Sequence, residues 1–203
     1  MLELYEAGYE VKYLDTALGL TRQMLERFED KKEGGLFCTS VDVEEVLLRQ
    51  KEVQDDALPS GNSIAMLNML RLARITGDTI LEERAEKIAE VFSSEVAQYP
   101  LVHTQFLAAL DFSLGPSYEI VIAGKVEDKD TQEMIKTLRK NFLPNKVVLL
   151  MPLSTGLPEI VKIAPFLSSF FSSDAQVKVY VYSNYSCRKP AENAEELITL
   201  LSG

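Results

Sequence analysis

The residues best suited to chemistry are concentrated between positions 49 and 63, where the sequence reads RQKEVQDDALPSGNS. They combine cations, a carboxylate, hydroxyls and an amide: Arg49, Lys51, Asp55, Ser60, Asn62 and Ser63. Sugar chemistry needs such converging groups, because each ring hydroxyl both donates and accepts hydrogen bonds. The pattern therefore indicates a substrate-binding rim, with Asp55 as general base or hydroxyl acceptor and Asn62 and Ser63 as hydroxyl partners.

The same segment also has a purely structural interpretation. Ser60 directly precedes an apolar helical pattern, so its hydroxyl is suited to cap that helix. Asp55 could also serve as a cap, and Arg49 and Lys51 could pair with nearby carboxylates. The first turn of the helix could instead hold an oxygen-rich ligand through its free N–H groups and its dipole. The sequence leaves both interpretations open.

His103 is the single histidine of the chain and follows Pro100 in the first turn of a predicted helix. It is a weak catalytic candidate, beside Asp55, for acid–base chemistry; the alternative is a packing residue. Zinc sites usually draw on histidine and cysteine ligands, so this composition predicts no metal site. No motif in the chain indicates a cofactor.

Two cysteines, Cys38 and Cys187, lie far apart and form neither a CxxC motif nor a zinc-binding spacing. Two free thiols are the expected state in a reducing compartment. Arg188 and Lys189 adjoin Cys187 and could lower the pKa of its thiol, which would make it reactive. The alternative is an inert cysteine.

Composition limits the range of functions. The chain has 203 residues and a net charge of −10, which argues against a nucleic-acid or anionic-membrane partner. Its longest apolar run, Val147–Leu153, is far too short to span a bilayer. The N-terminal MLELYEAGYE lacks the features of a signal peptide, so a cytoplasmic location is expected.

The first half of the chain has helical periodicity. Helices are expected over 11–30, 61–76, 80–98 and 101–112, with a β-hairpin near 35–49 formed by Gly35–Thr39 and Glu45–Arg49. Helices 11–30 and 80–98 carry one apolar stripe, whereas helices 61–76 and 101–112 are apolar nearly all round. Alternating outer and inner helices are typical of a circular array of hairpins, so residues 1–114 are predicted to be a partial α/α toroid.

The second half changes period after Gly115. Strands are expected at Tyr118–Ala123, Lys146–Met151 and Gln176–Tyr182, and helices at 130–140, 158–171 and 191–201. Apolar strands separated by helices are typical of a parallel sheet. Residues 117–203 are therefore predicted to form a small α/β subdomain with a three-stranded parallel βαβαβ sheet.

Several stretches resemble one known family: LYEAGYEVKYLDTAL, GGLFCTSVDVEEVLLRQKEVQDDALPSGNSIAMLNMLRLARITGD, LAALDFSLGPSYEIVIAG and NYSCRKPAENAEELITLL. Together they resemble the thioredoxin-domain-containing spermatogenesis-associated protein family over nearly the whole chain. Gln50 stands where the family is expected to carry proline, and Asp56 where it is expected to carry glycine. Tyr182 stands where the first of two cysteines is expected.

Members of that family join a thioredoxin-like domain to a toroid similar to N-acylglucosamine 2-epimerase and six-hairpin glycosidases. The resemblance implies a fragment without the thioredoxin domain and about half of the toroid. It also implies a carbohydrate-related function, without complete catalytic machinery in this chain alone. The alternative is a non-catalytic interaction module, or one half of a split thioredoxin–toroid protein.

Association with another chain is also expected. Helices 61–76 and 101–113 carry apolar faces that a complete ring of hairpins would cover, and large exposed apolar patches tend to mark interfaces. The expected partner is a second copy in a homodimer, or a chain that supplies the missing toroid helices.

Overall fold

The computed structural model describes residues 1–43, 48–153, 156–170, 176–183, 186–187 and 189–201. The chain divides into two compact units. The helical unit comprises Met1–Leu2 and Tyr13–Leu114, and the α/β unit comprises Glu3–Lys12 and Gly115–Gly203. A short N-terminal helix, α1 (Leu2–Gly8), thus lies mainly in the α/β unit.

The described part of the helical unit contains four α-helices. They are α2 (Val11–Phe28), α3 (Gly61–Thr76), α4 (Thr79–Gln98) and α5 (Thr104–Leu114), with a 3-10 helix at Pro100–Val102. The predicted fourth helix therefore begins later than expected, because Pro100 opens a separate 3-10 turn before α5. α3 packs against both α4 and α5.

Local signals set the bounds of α3 and α4. The hydroxyl of Ser60 accepts a hydrogen bond from the Ser63 N–H, which satisfies one donor of the first turn of α3. Gly77 ends the helix with a φ of 77°, the left-handed conformation that glycine adopts easily. Asp78 then caps α4 through the Ile80 N–H.

The burial pattern of these helices only partly follows the expectation. α4 buries one stripe, and the buried residues are the five apolar residues at helical spacing: Leu81, Ala85, Ile88, Phe92 and Val96. α3 is buried on most of its circumference, as predicted for an enclosed helix. α5 instead buries a single stripe of Phe106, Ala109 and Phe112, although its sequence is apolar nearly all round.

The first arm of the predicted hairpin is not a strand. Among residues 35–39, Leu36 makes one isolated antiparallel bridge, and its partner is Glu29 rather than the 45–49 arm. Because Gly34 and Gly35 have φ values of 85° and 77°, the chain turns tightly back toward the end of α2 instead of extending. The expected second arm falls partly on residues 44–47, which lie outside the described residues.

The α/β unit contains a mixed sheet with strand order β2-β1-β3-β4. Its strands are β1 (Tyr118–Gly124), β2 (Lys146–Pro152), β3 (Lys178–Ser183) and β4 (Ser186–Cys187), and its further helices are α6 (Lys129–Lys140), α7 (Ile160–Ile163) and α8 (Ala194–Leu201). β1 and β2 are parallel and start in register with Tyr118 opposite Lys146. The apolar core of the unit includes Ile120, Ile122, Val148 and Leu197.

The prediction of an all-parallel sheet was wrong, because β3 runs antiparallel to β1. An antiparallel β3 begins at the same end of the sheet where β2 finishes. The chain therefore does not need to cross back over the whole sheet, as a parallel connection would require. The described residues of the connection accordingly form the four-residue α7 and a 3-10 helix, Pro165–Phe170. Pro165 has no N–H for helix hydrogen bonding, so the single helix expected over 158–171 breaks there.

Two side chains fasten α1 to the rest of the α/β unit. The fully buried Tyr5 accepts a hydrogen bond from the Leu150 N–H at 3.3 Å, and burial raises the pKa of its phenol. Arg139 donates to the Glu6 and Ala7 carbonyls at 3.2 and 2.6 Å. These carbonyls belong to the last turn of α1, where they have no partner within the helix.

The described residues thus form helices together with a small mixed sheet, an α+β arrangement. None of the described helices is both long and apolar enough to cross a membrane. The partial α/α toroid and the cytoplasmic location stay predictions.

Candidate functional site

Asn62 is the most completely engaged residue of the predicted rim. Its side chain is 3% exposed, and its Oδ1 accepts from the Leu36 N–H at 2.7 Å. Its Nδ2 donates to the carbonyls of Leu36 at 2.9 Å and Glu52 at 2.8 Å. The amide therefore ties the loop that contains Leu36 to the segment before α3.

Ser60 and Ser63 form the N-cap of α3. The Ser60 hydroxyl accepts from the Ser63 N–H at 3.0 Å and donates to the Ser63 hydroxyl at 2.8 Å. The Ser63 hydroxyl in turn donates to the Val53 carbonyl at 3.4 Å, and the residue is fully buried. The geometry shows Ser60 as the cap, as its structural interpretation predicted, and Ser63 as the residue that it binds.

Asp55 joins the starts of two helices. Its Oδ1 accepts from the Ser60 N–H at 2.8 Å, ahead of α3. Its Oδ2 accepts from the Gln105 and Phe106 N–H groups at 2.8 and 3.3 Å, in the first turn of α5. A carboxylate at a helix start accepts hydrogen bonds from the free N–H groups there, and its negative charge interacts favourably with the helix dipole. Both oxygens are engaged by backbone donors, which makes Asp55 a poor general base.

Lys51 pairs with a carboxylate, as its structural interpretation predicted. Its Nζ lies 2.7 Å from Asp30 Oδ2 and donates to the Gly34 carbonyl at 2.8 Å. The hydrogen bond from Lys51 lowers the pKa of Asp30 to about 2. At Gly35, whose φ is positive, an added Cβ would lie 3.3 Å from Lys51 Cδ, so the glycine leaves room for the lysine stem.

Arg49 binds carbonyl groups and a ring. Its guanidinium donates to the Thr39 carbonyl at 2.6 Å and to the Arg27 carbonyl at 3.2 Å. It also lies 4.0 Å from the centre of the Phe37 ring, within the range of cation–π attraction. These contacts tie the loop before α3 to the end of α2.

His103 is separated from solvent. The residue is 1% exposed, and its Nδ1 lies 2.7 Å from the Tyr99 carbonyl oxygen. A carbonyl can only accept, so Nδ1 carries a proton. Its Nε2 lies 3.6 Å from Glu95 Oε1 and has no hydrogen-bond partner. The geometry matches the packing interpretation, because a substrate would have no access to the ring.

The structure thus brings Asp55, Ser60, Asn62 and Ser63 together at the start of α3, but with their polar atoms turned onto backbone groups. Arg49 and Lys51 are fixed beside Phe37 by other contacts. Each predicted residue has a structural partner. Whether any of them also touches a ligand stays a prediction.

An open cleft of about 480 Å³ lies beside this network in the helical unit. Its apolar lining consists of Met24, Phe28, Leu36, Phe37, Leu58 and Pro59. Its polar lining consists of Cys38, Glu52, Gln54, Asp56, Ser60 and Asn62. Apolar walls combined with a few polar groups are typical of small-molecule sites.

Sequence reasoning passed over Glu52, Gln54 and Asp56, which are exposed in the cleft. The sequence holds a signal for two of them, because the apolar Val53 stands between the polar Glu52 and Gln54. In the structure Val53 is 1% exposed. Alternation of polar and apolar residues marks an extended segment with one face toward solvent.

Cys38 also lines the cleft and carries a free thiol. Burial raises the pKa of this thiol, and the neighbouring negative charge of Glu52 raises it further. The thiol is therefore protonated at neutral pH, which opposes a reactive-thiol role because the thiolate is the nucleophile. The side chain of Cys187, and Arg188 beside it, lie outside the described part of the chain.

No cluster of three or more histidine, cysteine or carboxylate residues that could hold a metal ion occurs among the described residues. No protein-family model matches the chain. Individual proteins do. Over 99% of its length the chain is 31% identical to a mouse protein and 32% identical to a human one, both named spermatogenesis-associated protein 20.

The chain resembles spermatogenesis-associated protein 20. The family resemblance seen in the sequence is confirmed at this level. The chain spans about a quarter of the length of these relatives, 25% of the mouse protein and 26% of the human one. An uncharacterised protein of Caenorhabditis elegans is 25% identical over 100% of the chain. The name spermatogenesis-associated protein 20 specifies no reaction, ligand or partner.

Proposed function

We propose that this chain is the ligand-binding segment of a carbohydrate-related protein of the epimerase and six-hairpin glycosidase type. In this proposal its helices form part of an α/α toroid, and the chain alone lacks complete catalytic machinery. The observation that carries the proposal is the open cleft beside the start of α3, whose lining combines apolar and polar residues.

The mixed lining suits the two kinds of surface on a sugar. Sugar rings present C–H groups on their faces and hydroxyls around their edges. Met24, Phe28 and Leu36 offer apolar surface, while Glu52, Gln54 and Asp56 offer acceptors and an amide. The volume of about 480 Å³ lies within the range of about 300–1,000 Å³ that is usual for small-molecule pockets.

The two catalytic candidates are poorly placed for proton transfer. Acid–base catalysis requires a titrating group within hydrogen-bond reach of the substrate. Asp55 is held by three backbone N–H groups, and His103 is buried against Tyr99. These two candidates are better suited to supporting the cleft than to moving protons.

A pair of glycine substitutions tests the cleft. Gly61 lines the cleft and has free space around an added Cβ, so Gly61→Phe should fill the cleft without disturbing α3. Gly19 on α2 also has free space around an added Cβ, which makes Gly19→Phe the matched control. NMR titration of the wild-type chain with a panel of monosaccharides should give saturable shifts that Gly61→Phe abolishes and Gly19→Phe keeps. Equal binding by both variants would contradict the proposal.

A second candidate function is docking to another chain, and exposed leucines favour it. Leu58 is 80% exposed and Leu101 is 89% exposed. Their loops are neighbours, because the Asp55 N–H donates to the Val102 carbonyl at 2.8 Å. The apolar residues of α3 are mostly buried, so these loops and not the face of helix 61–76 are the surface for a second copy or a partner chain.

Sedimentation separates the two associations. A homodimer should dissociate in the double variant Leu58→Ser/Leu101→Ser and persist in Leu20→Ser, which changes an exposed leucine on α2. A wild-type chain that sediments as a monomer at micromolar concentration would contradict the homodimer hypothesis. Docking of a separate toroid chain would then be tested by adding the remaining segment of a relative.

A further inference from the structure

The cleft described above is acidic, and the charge has a direct consequence for its ligand. Two carboxylates, Glu52 and Asp56, line it. None of the described residues that line it is a lysine, an arginine or a histidine. The chain as a whole carries a net charge of −10, so distant charges reinforce this local sign rather than cancel it.

The cations nearest in sequence are committed elsewhere. Lys51 holds Asp30 at 2.7 Å and is 14% exposed. Arg49 donates to the carbonyls of Thr39 and Arg27. Both also lie against the ring of Phe37, which lines the cleft, but neither cation is itself among the lining residues. Their engaged charges are therefore set behind the ring, while the carboxylates of Glu52 and Asp56 belong to the lining.

The start of α3 does not supply a ready anion site either. A helix N-terminus attracts anions through free N–H groups. Here the Ser63 N–H is taken by the Ser60 hydroxyl, and the Ser60 N–H is taken by Asp55. The carboxylate of Asp55 therefore places a negative charge just ahead of α3, which opposes the binding of an anion there.

The remaining polar groups of the cleft are neutral. Gln54 donates to Asp56 Oδ1 at 3.2 Å, which holds that carboxylate in position. Cys38 stays protonated, since burial and Glu52 both disfavour its thiolate. The negative charge of the cleft therefore rests on Glu52 and Asp56.

We infer that the cleft selects a ligand with a protonated amine, namely a sugar or polyol with a free amino group. The inference rests on the proposed function and specifies its ligand class. The ammonium lies against Glu52 and Asp56, and the ring contacts apolar lining residues. Phosphorylated and carboxylated sugars are repelled. An N-acylated sugar, which has lost the charge of its amine, is bound no better than a neutral sugar.

A matched ligand pair tests the charge directly. NMR titrations of the wild-type chain compare glucosamine with N-acetylglucosamine, glucose, glucose 6-phosphate and ethanolamine. Glucosamine should bind roughly fivefold more tightly than N-acetylglucosamine or glucose, as expected for solvent-exposed charge pairs. Raising the salt from about 20 to about 300 mM should reduce that preference, because salt screens exposed charges. Glucose 6-phosphate should bind most weakly among the sugars.

Two variants locate the preference. Glu52→Gln/Asp56→Asn keeps side-chain size and removes both charges, so glucosamine and glucose should then bind equally. Glu83→Gln, which changes an exposed carboxylate on α4, should keep the preference. Spectra of the unliganded variants confirm that each is folded.

The outcomes distinguish the inference from the proposal beneath it. Equal affinity of the wild-type chain for glucosamine and glucose, or tighter binding of glucose 6-phosphate, would overturn amine selection while leaving a sugar cleft in place. Ethanolamine binding as tightly as glucosamine would overturn selection of an aminated sugar. Absence of binding by every sugar would overturn the proposed function itself.

Discussion

The helical unit and the α/β unit satisfy their buried polar groups in different ways. In the helical unit, side chains complete the backbone: Asn62 binds Leu36 and Glu52, and Asp55 binds the starts of α3 and α5. In the α/β unit, paired strands complete one another, and the core cluster is apolar. Among the described residues of the α/β unit, Thr131 is a buried polar residue, and its hydroxyl has no hydrogen-bond partner.

The difference follows from the backbone of each unit. Strands in a sheet exchange hydrogen bonds along their length, so they need little help from side chains. Helix starts and the irregular segment before α3 leave N–H and C=O groups without partners, and buried polar groups must be paired. The concentration of polar residues over 49–63 is thus largely a requirement of the fold. The residues left for a ligand are the exposed ones that alternate with buried residues along this segment, such as Glu52 and Gln54 on either side of Val53.

The largest expected effect comes from Asn62→Leu, which preserves approximate side-chain size and removes all three hydrogen bonds of the amide. Each buried backbone group left unpaired costs about 1–3 kcal/mol, so unfolding should become easier by roughly 3 kcal/mol or more. Urea denaturation followed by circular dichroism measures the loss. Asn68→Leu, at a half-buried position on the same helix, is the control. Equal losses in both variants would mean that the amide bonds of Asn62 are not the cause.

Asp55→Ala should rank second, at roughly 2 kcal/mol, because it removes one cap from each of two helices. Amide hydrogen exchange should speed up at the starts of both α3 and α5, although only α3 is near Asp55 in sequence. Asp56→Ala changes the exposed neighbour and should have little effect on either helix. Faster exchange confined to α3 would contradict the double role of Asp55.

Thr131→Val tests the α/β unit, and unlike the two preceding variants it should raise the free energy of unfolding. Its buried hydroxyl lacks a partner, so replacement by a methyl of similar shape should stabilise the α/β unit by about 1.5 kcal/mol. Space near Gly124 is tight, because an added Cβ there would lie 2.4 Å from Thr131 Oγ1. Thr137→Val, elsewhere on α6, serves as the control in the same urea assay. A destabilised Thr131→Val would show that the hydroxyl is needed and weaken the contrast between the units.

Sequence reasoning succeeded where signals are local and failed where they are not. The bounds of α3, the Ser60 cap and the buried stripe of α4 follow from residues within a few positions of one another. The partner of Asp55 on α5 lies 50 residues away, and the partner of Tyr5 lies 145 residues away. The direction of β3 likewise depends on which edge of β1 it joins. Spacing in the sequence carries no information about such long-range choices.

The smallest predicted effect depends on pH and concerns the ion pair of Asp30 and Lys51. The pKa of Asp30 is about 2 in the folded chain, below the value of about 3.9 for an aspartate in an unfolded chain. A lowered pKa means that the pair contributes stability fully above about pH 5 and loses it as the pH falls toward 2. Asp30→Asn should therefore lower the free energy of unfolding by roughly 1 kcal/mol at pH 7, because an ion pair with access to solvent contributes little more than that.

The same variant should match the wild type near pH 2.5, where the carboxyl of the unfolded chain is protonated and most of the advantage is gone. Urea unfolding at several pH values measures the convergence, and Asp15→Asn, at an exposed position on α2, should differ little from the wild type throughout. A constant difference for Asp30→Asn across this range would mean that Lys51 holds the loop through the Gly34 carbonyl alone. The helical unit would then depend on neutral hydrogen bonds, as in Asn62, and not on charge.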